Sequence, residues 1–252
     1  MNILGFFWTN ILTEPILNLL VFFYHLLFNN LGLSIIAMTI FIRVVTYPLT
    51  KPALEAQKKQ KELAPEIAKL KKKYKNKQTF ATKQMELYKK HGVNPAAGCV
   101  SQIIPLIIIL ALYRVFNSML SAGGVVIEEI NQRLYGWNFL QFRPNESLNT
   151  DFLYLNLAHP DPYFILPVLA AASQFFMSKY MMKSTKKLDK VVADTPDKKD
   201  DIMYNMQEQM VYMFPIMTLI IGVRLPSGLV LYWFVSTVLA LGQYYLINRN
   251  KK

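Results

Sequence analysis

The chain has 252 residues, 53% of them hydrophobic and 17% charged, with a formal net charge of +12. A soluble domain of this size carries about 25% charged residues, so this composition, with a mean hydropathy of +0.22, argues against an ordinary soluble fold. Apolar runs long enough to cross ~30 Å of hydrocarbon recur along the chain, and the single Cys99 excludes an intrachain disulfide.

The expected fold class is an all-α polytopic membrane protein. It has five transmembrane helices, N-out and C-in, an N-terminal interfacial helix and a cytoplasmic αα-hairpin. Residues 1–30 are apolar but interrupted by Asn10, Glu14, Asn18 and His25. There is no basic n-region and no small-residue cleavage site, so no cleaved leader is expected. Thr13-Glu14-Pro15 reads as a helix start with Thr13 as N-cap. Ile16, Leu19, Leu20, Phe23 and Leu27 then share a face, as in an amphipathic helix lying in the interface.

The first span is expected at 31–50. No Lys or Arg precedes residue 43, and a dense lysine block follows Lys51. By the positive-inside rule that block is cytoplasmic. Residues 51–92 are too charged for hydrocarbon. Leu63, Ile67, Leu70 and Tyr74 form a narrow apolar stripe, Lys75-Asn76-Lys77 a turn, and 79–90 a second helix, so the segment reads as an αα-hairpin. Gly92 ends it and Asn94-Pro95 turns the chain.

The second span, 98–120, carries Pro105, with Arg114 snorkelling near its outer end. Residues 121–160 have two Arg, no Lys and four acids, which suits an extracytoplasmic loop. Asp161-Pro162 is the expected start of the third span, 161–180, with Asp161 as N-cap. A cytoplasmic connection at 181–208, a fourth span at 209–224 with Pro215, a tight outer turn at 225–228, a fifth span at 227–247 and a basic tail at 248–252 complete the chain.

Arg43 is the most informative residue. It lies inside LSIIAMTIFIRVVTYPL, and no Asp or Glu in any span neutralises it. An intramembrane Arg costs about 2.5–3.5 kcal/mol on insertion scales. Water beside it, or an anion supplied by another molecule, would offset that cost. Thr39, Arg43, Thr46 and Thr50 follow i, i+4, i+7, i+11 spacing on one helix face, with Tyr47 adjacent. This suggests a wet groove open to the inside. Gln174 and Ser178 on the third span add polar groups, as do Trp233, Thr237 and Tyr244 on one side of the fifth span and Tyr232, Ser236 and Gln243 on the neighbouring side. Ser101 and Gln102 stand near the inner end of the second span.

Simpler readings stand beside this one. Ser and Thr in such helices bond back to their own backbone or join helices. Arg43 is ~12 Å from Lys51 along the helix and within snorkelling range of the inner headgroups. Trp233 also fits an aromatic belt. Enzyme signals are missing. His25, His91 and His159 are scattered without metal-ligand spacing, and there is no phosphate-binding glycine loop and no paired intramembrane carboxylates. Neither an enzyme activity nor a cofactor is expected.

Five stretches carry a family resemblance: FIRVVTYPLTKP, LAPEIAKLKKKY, LYKKHGVNPAAGC, LAHPDPYFILPVL and MFPIMTLIIGVRLPSGLVLYW. They occur in order over most of residues 31–247, and together they resemble the YidC/Oxa/Alb membrane protein insertase family, in its short five-span bacterial YidC form. The resemblance implies insertion without nucleotide hydrolysis, through a hydrophilic groove in the inner leaflet. Arg43 matches the groove arginine, Thr39 a groove-facing position one turn earlier, Gln174 the groove polar position of the third span, and Tyr232 and Trp233 the aromatic pair of the fifth. Thr46 joins them as a groove residue by its place on the stripe. The implied partners are nascent membrane proteins, the ribosome, the Sec translocon and anionic lipid, with the chain working as a monomer in the bacterial cytoplasmic (inner) membrane. Four features depart from family patterns: no lipoprotein-type cysteine stands near the N-terminus, the extra periplasmic domain of Gram-negative members is missing, the tail is too short for a long ribosome-binding extension, and the second span reads SQIIPLIIILALY where the family often has a second Gln or Pro pattern. The rival reading is a small-solute transporter or channel with Arg43 as an anion site. A third is a structural subunit of a larger translocase.

Overall fold

Asn30 opens the longest helix. Its backbone is extended and its side chain accepts from the Leu33 N–H at 3.0 Å, which satisfies one of the unpaired donors at a helix start. From there α3 runs unbroken from Leu31 to Lys73, through Pro48, Pro52 and Pro65. At 1.5 Å per residue its 43 residues extend for about 65 Å, roughly twice the hydrocarbon thickness. The expected boundary at residue 50 is therefore not a break in the helix. The apolar first half and the lysine-rich second half belong to one rod.

The computed structural model describes residues 3–74, 76–94, 97–119, 127–143, 146–182 and 202–249. Outside the described residues lie 183–201 of the expected connection, the end of the tail from Asn250, loop residues 120–126, and Lys75 and Pro95 of the two expected turns. The side chains of Ser101 and Gln102 lie outside them too.

The N-terminal segment differs from its expected start. Helix α1 (Ile3–Phe6) passes through a π-helical turn, Phe7–Thr13, into α2 (Glu14–Leu26). Thr13 has helical dihedrals and no capping bond. Its hydroxyl donates to the Trp8 carbonyl at 3.0 Å. The chain is already helical on reaching Glu14, so no N-cap is needed there. Pro15 does sit in the first turn of α2. Ile16 and Leu20 of the expected stripe are buried together with Leu17, Val21 and Tyr24, and Leu19 and Phe23 pack beside them.

Asn18, buried on α2, ties this helix to the segment after α5. Its amide donates to the Glu14 and Arg133 carbonyls, and its Oδ1 accepts from the Tyr135 N–H at 2.7 Å. The Tyr24 hydroxyl accepts from the Asn149 N–H at 2.8 Å. Polar residues that interrupt an apolar helix here act as anchors for irregular backbone, which needs such partners when buried.

Helix α4 (Lys77–Lys90) starts on Asn76, whose side chain accepts from the Gln78 and Thr79 N–H groups. It ends at Gly92 as expected. Gly92 has φ +63°, its N–H donates to Lys89 and the Val93 N–H reaches back to Tyr88, the bond pair of a Schellman stop. Helix α4 returns along α3: His91 Nε2 lies 3.8 Å from Glu66 Oε2, and the Gln60 amide donates to the Asn94 carbonyl. Leu63 is buried, and Ile67, Leu70 and Tyr74 are half-buried.

Helix α5 (Ala97–Met119) contains Pro105 and buries Ile108, Ala111, Leu112, Val115 and Phe116. Arg114 is exposed, with its guanidinium 5.1 Å from the Trp8 ring centroid, a cation–π contact. After α6 (Ile127–Arg133) comes a two-residue hairpin of β1 (Asp151–Phe152) and β2 (Leu155–Asn156), paired Asp151↔Asn156 and Phe152↔Leu155.

Helix α7 spans Ile165–Met182 and begins four residues beyond Asp161. Asp161 still serves the helix start. Its carboxylate accepts from the Leu166 N–H at 2.7 Å, the Tyr163 N–H at 3.0 Å and the Tyr154 hydroxyl at 3.1 Å. Pro162 lies in the preceding turn rather than at the first helical position. Burial, and then the Asp161 carboxylate, hold the Tyr154 phenol above its ordinary pKa.

Helix α8 (Ile202–Gly222) contains Pro215 and starts earlier than the expected fourth span. Helix α9 (Ser227–Arg249) opens on Ser227, within the expected 225–228 turn. The Ser227 hydroxyl lies 2.8 Å from the Asn156 carbonyl and 2.9 Å from the His159 carbonyl. The Ser227 and Gly228 N–H groups donate to His159 and Leu157. Carbonyls of residues 156–159 thus cap this helix. One core joins α2, α3, α5 and α9 with the 127–157 segment, and a smaller cluster of Leu54, Tyr244 and Ile247, flanked by Tyr47 and Tyr180, sits at the lysine-side end.

Among the described residues two helices, within Leu31–Gln60 and Ser227–Arg249, are long and apolar enough to cross a membrane, and shorter apolar stretches lie at Ile103–Asn117 and Val211–Gly222.

Candidate functional site

The site is built where α3 meets α9. Arg43 stands 12 residues into α3, about 18 Å from its start. Its half-buried side chain crosses to α9, where Nη2 donates to Ser236 Oγ at 2.7 Å and Nε at 3.2 Å. A guanidinium has five N–H donors. Among the described residues the other three find no acceptor, and no carboxylate lies within ion-pair distance. The backbone carbonyl of Arg43 accepts from the Gln243 amide at 3.3 Å. Gln243 Oε1 is buried without a hydrogen-bond partner.

Helix α9 supplies two adjoining faces, as its residue spacing suggested. Tyr232, Ser236 and Gln243 face α3. Tyr232 is almost fully buried, one turn before Ser236 on the same face and within electrostatic reach of the guanidinium. Trp233, Thr237 and Tyr244 belong to the neighbouring face, toward α7. The Thr237 hydroxyl is 2.9 Å from the Trp233 carbonyl and 3.4 Å from Gln174 Oε1, and Gln174 itself is buried. Tyr244 stacks edge-on against Tyr180 of α7, with ring centroids 5.7 Å apart. Among the described residues no hydrogen bond joins the Arg43 group to the Gln174 group.

The threonine stripe on α3 is satisfied locally. Thr39 is fully buried and donates to the Ile35 carbonyl. Thr46, half-buried, donates to Ile42 at 2.7 Å. Thr50 is buried and points back to Thr46 and Tyr47. These back-bonds leave Arg43 as the stripe residue with open donors. Beside it α3 exposes Ile40, Phe41, Val44, Val45 and Leu49, a surface suited to hydrocarbon. The arrangement therefore sets a partly solvated cation next to an apolar face. That can hold an anion transiently while an apolar segment lies alongside. Among the described residues no cluster of His, Cys, Asp and Glu is placed to hold a metal ion.

Sequence reasoning placed Ser236 on the polar side of α9 but did not identify it as the guanidinium's acceptor. The signal available was its spacing four residues after Tyr232.

Comparison with known proteins supplies the family. The family model described as 60Kd inner membrane protein matches residues 22–252. The chain is 37% identical over 223 residues to a membrane protein insertase YidC of Fusobacterium nucleatum, covering 88% of each. It is 30% identical over 254 residues to YidC 2 of Listeria innocua, covering 98% of this chain and 75% of that one. It is 29% identical over 247 residues to the insertase MisCA of Bacillus subtilis, covering 96% and 79%. The fold resembles the crystal structure of an active YidC insertase with its first transmembrane domain resolved, at TM-score 0.53 and 23% identity. That match takes in 92% of this chain and 46% of the other. The chain belongs to the 60Kd inner membrane protein family, as a YidC-type membrane protein insertase.

Proposed function

We propose that this chain inserts nascent integral membrane proteins, and helps them fold, through a hydrophilic inner-leaflet groove centred on Arg43. The observation that carries the reading is the guanidinium itself. It sits deep in an apolar helix, bonded to one serine hydroxyl, with no carboxylate of the described residues beside it. A client with a short acidic outer segment must carry that charge through hydrocarbon, which costs several kcal/mol per bare charge. A half-depth wet groove shortens the dry path. Arg43 pairs with the carboxylate on the way, and low dielectric strengthens the attraction. Burial of the client's apolar span and the membrane potential complete the crossing. No covalent bond changes, so the chain is not an enzyme and takes no cofactor.

Thr39, Thr46, Gln174, Tyr232 and Trp233 line or frame the groove in this reading. The topology is five spans, N-out and C-in, in the bacterial cytoplasmic membrane, with residues 1–30 at the outer interface. The lysine-rich α3–α4 hairpin is cytoplasmic and receives clients from the ribosome. Its charge suits ribosomal RNA and anionic lipid. The chain works as a monomer, alone or beside the Sec translocon.

The test is insertion of an acidic-tailed single-span substrate in cells depleted of their own insertase. Arg43→Ala should abolish insertion and Arg43→Lys should keep part of it. Normal insertion by Arg43→Ala would remove the groove charge from the mechanism.

A further inference from the structure

Helices α7 and α8 pack against each other and leave a cleft of about 330 Å³ open at their surface. Its walls are Val168, Ala172 and Phe175 of α7, and Tyr212, Ile216 and Leu219 of α8. Among the described residues no charged side chain lines it. At one end the helices nearly touch, since a Cβ added at Gly222 would lie 3.3 Å from Cβ of Pro167. At the other end Phe175 and Tyr212 meet with ring centroids 5.9 Å apart. Just beyond them, exposed Lys179 holds its ammonium 5.5 Å from the Phe175 ring centroid. Among the described residues the site is an apolar slot with one cation at its mouth, separate from the Arg43 group.

We propose that this slot binds one acyl chain of an anionic phospholipid, with the headgroup phosphate on Lys179. Size argues for a chain rather than a helix. From Val168 to Phe175 the slot is about 10 Å long, and its two walls close on each other at Gly222–Pro167 and again at Phe175–Tyr212, which leaves too little width for an α-helix at least 10 Å across. Charge argues for an anionic lipid, because Lys179 faces a net negative headgroup whose phosphate no choline neutralises, and one Lys near such a headgroup supplies a preference of about fivefold. The cation is already positioned by the ring that forms the slot wall, so chain and headgroup are read by adjoining residues. The inference requires only that the chain lies in a membrane. It does not depend on client insertion.

The experiment uses the full chain in nanodiscs with phosphatidylglycerol or phosphatidylcholine, each carrying a diazirine in its acyl chain, and maps adducts by mass spectrometry. Labelling should concentrate on Phe175, Tyr212 and Ile216, with phosphatidylglycerol favoured about fivefold. Ala172→Phe should remove the concentrated labelling. Lys179→Gln, a surface change that leaves the slot walls intact, should keep labelling but bring the two lipids to parity. Labelling spread evenly over the lipid-exposed helices, or unchanged by Ala172→Phe, overturns the proposal. So does equal labelling by the two lipids in the unaltered chain. A photoreactive residue at Ile216 that captures protein in place of lipid would also overturn it, because the occupant would then be a polypeptide.

Discussion

Arg43 and Ser236 are 193 positions apart in the chain, yet the guanidinium lies 2.7 Å from the serine hydroxyl. This pair ties the first long helix to the last. It is a charge-assisted bond in surroundings poor in other acceptors, where such bonds are worth about 1.5–3 kcal/mol. Ser236→Ala should therefore lower thermal stability by about 1–2 kcal/mol in the Arg43 background and by close to nothing in Arg43→Ala. A double-mutant cycle in detergent measures the coupling. Additive losses would mean that the two side chains do not interact.

Gly228 lets α9 approach α5 closely. A Cβ there would lie 2.5 Å from the Phe116 ring and 3.2 Å from Ile35. Gly228→Ala should cost about 1–3 kcal/mol by overpacking. Phe116→Leu, which removes the ring tip, should recover part of that loss when combined with it. Thermal unfolding of the two single variants and the double variant reads the effect.

Asp161 accepts three hydrogen bonds at the approach to α7 and is nearly inaccessible to solvent. Asp161→Ala orphans the Leu166 and Tyr163 N–H groups, at about 1–3 kcal/mol. Asp161→Asn should cost less, since one amide oxygen can still accept. Hydrogen exchange at Leu166 and its neighbours should accelerate in Asp161→Ala, with exchange in α4 unchanged.

Topology is open to direct labelling. In a Cys99→Ser background, Lys59→Cys and Trp137→Cys each place a single thiol at an exposed position. The two variants should react with a membrane-impermeant maleimide from opposite sides. Lys59→Cys should need broken cells, whereas Trp137→Cys should react in intact cells or spheroplasts. Reaction of both from one side would overturn the N-out, C-in, five-span arrangement.

Photocrosslinkers at Gln174 and Trp233 should capture a stalled ribosome-bound nascent chain. The yield at Trp233 should exceed that at Gln174, because Trp233 is half-buried and Gln174 buried. No capture from either position would remove the α7–α9 face from the client path.

Much of the framework could be read from periodicity and charge. The helix Ala97–Met119 falls within one residue of the expected 98–120, and Gly92 stops α4 where its type suggested. The two polar faces of α9 follow from spacing alone. What escaped depends on contacts distant in sequence or on geometry. The Asn18 anchor needs the Arg133 carbonyl, 115 positions away. Thr13 looked like a cap because its residue type favours caps, but a π-helical turn already fed the helix. Asp161 caps across a turn that includes Phe164 at φ +56°, and pattern reading does not foresee that detour. For the threonine stripe the simpler reading holds: each hydroxyl bonds to a carbonyl of its own preceding turn.

The unbroken run from Leu31 to Lys73 has a mechanical consequence. The lysine-bearing arm and the arginine-bearing segment share one shaft, so a sideways load on the far end reaches Arg43 as tilt or torque instead of dissipating in a linker. Pro48 and Pro52, which lack N–H groups and interrupt the bond ladder, are the compliant points of that shaft. Force transmitted along the shaft from the hydrophilic arm to the half-buried cation passes through them.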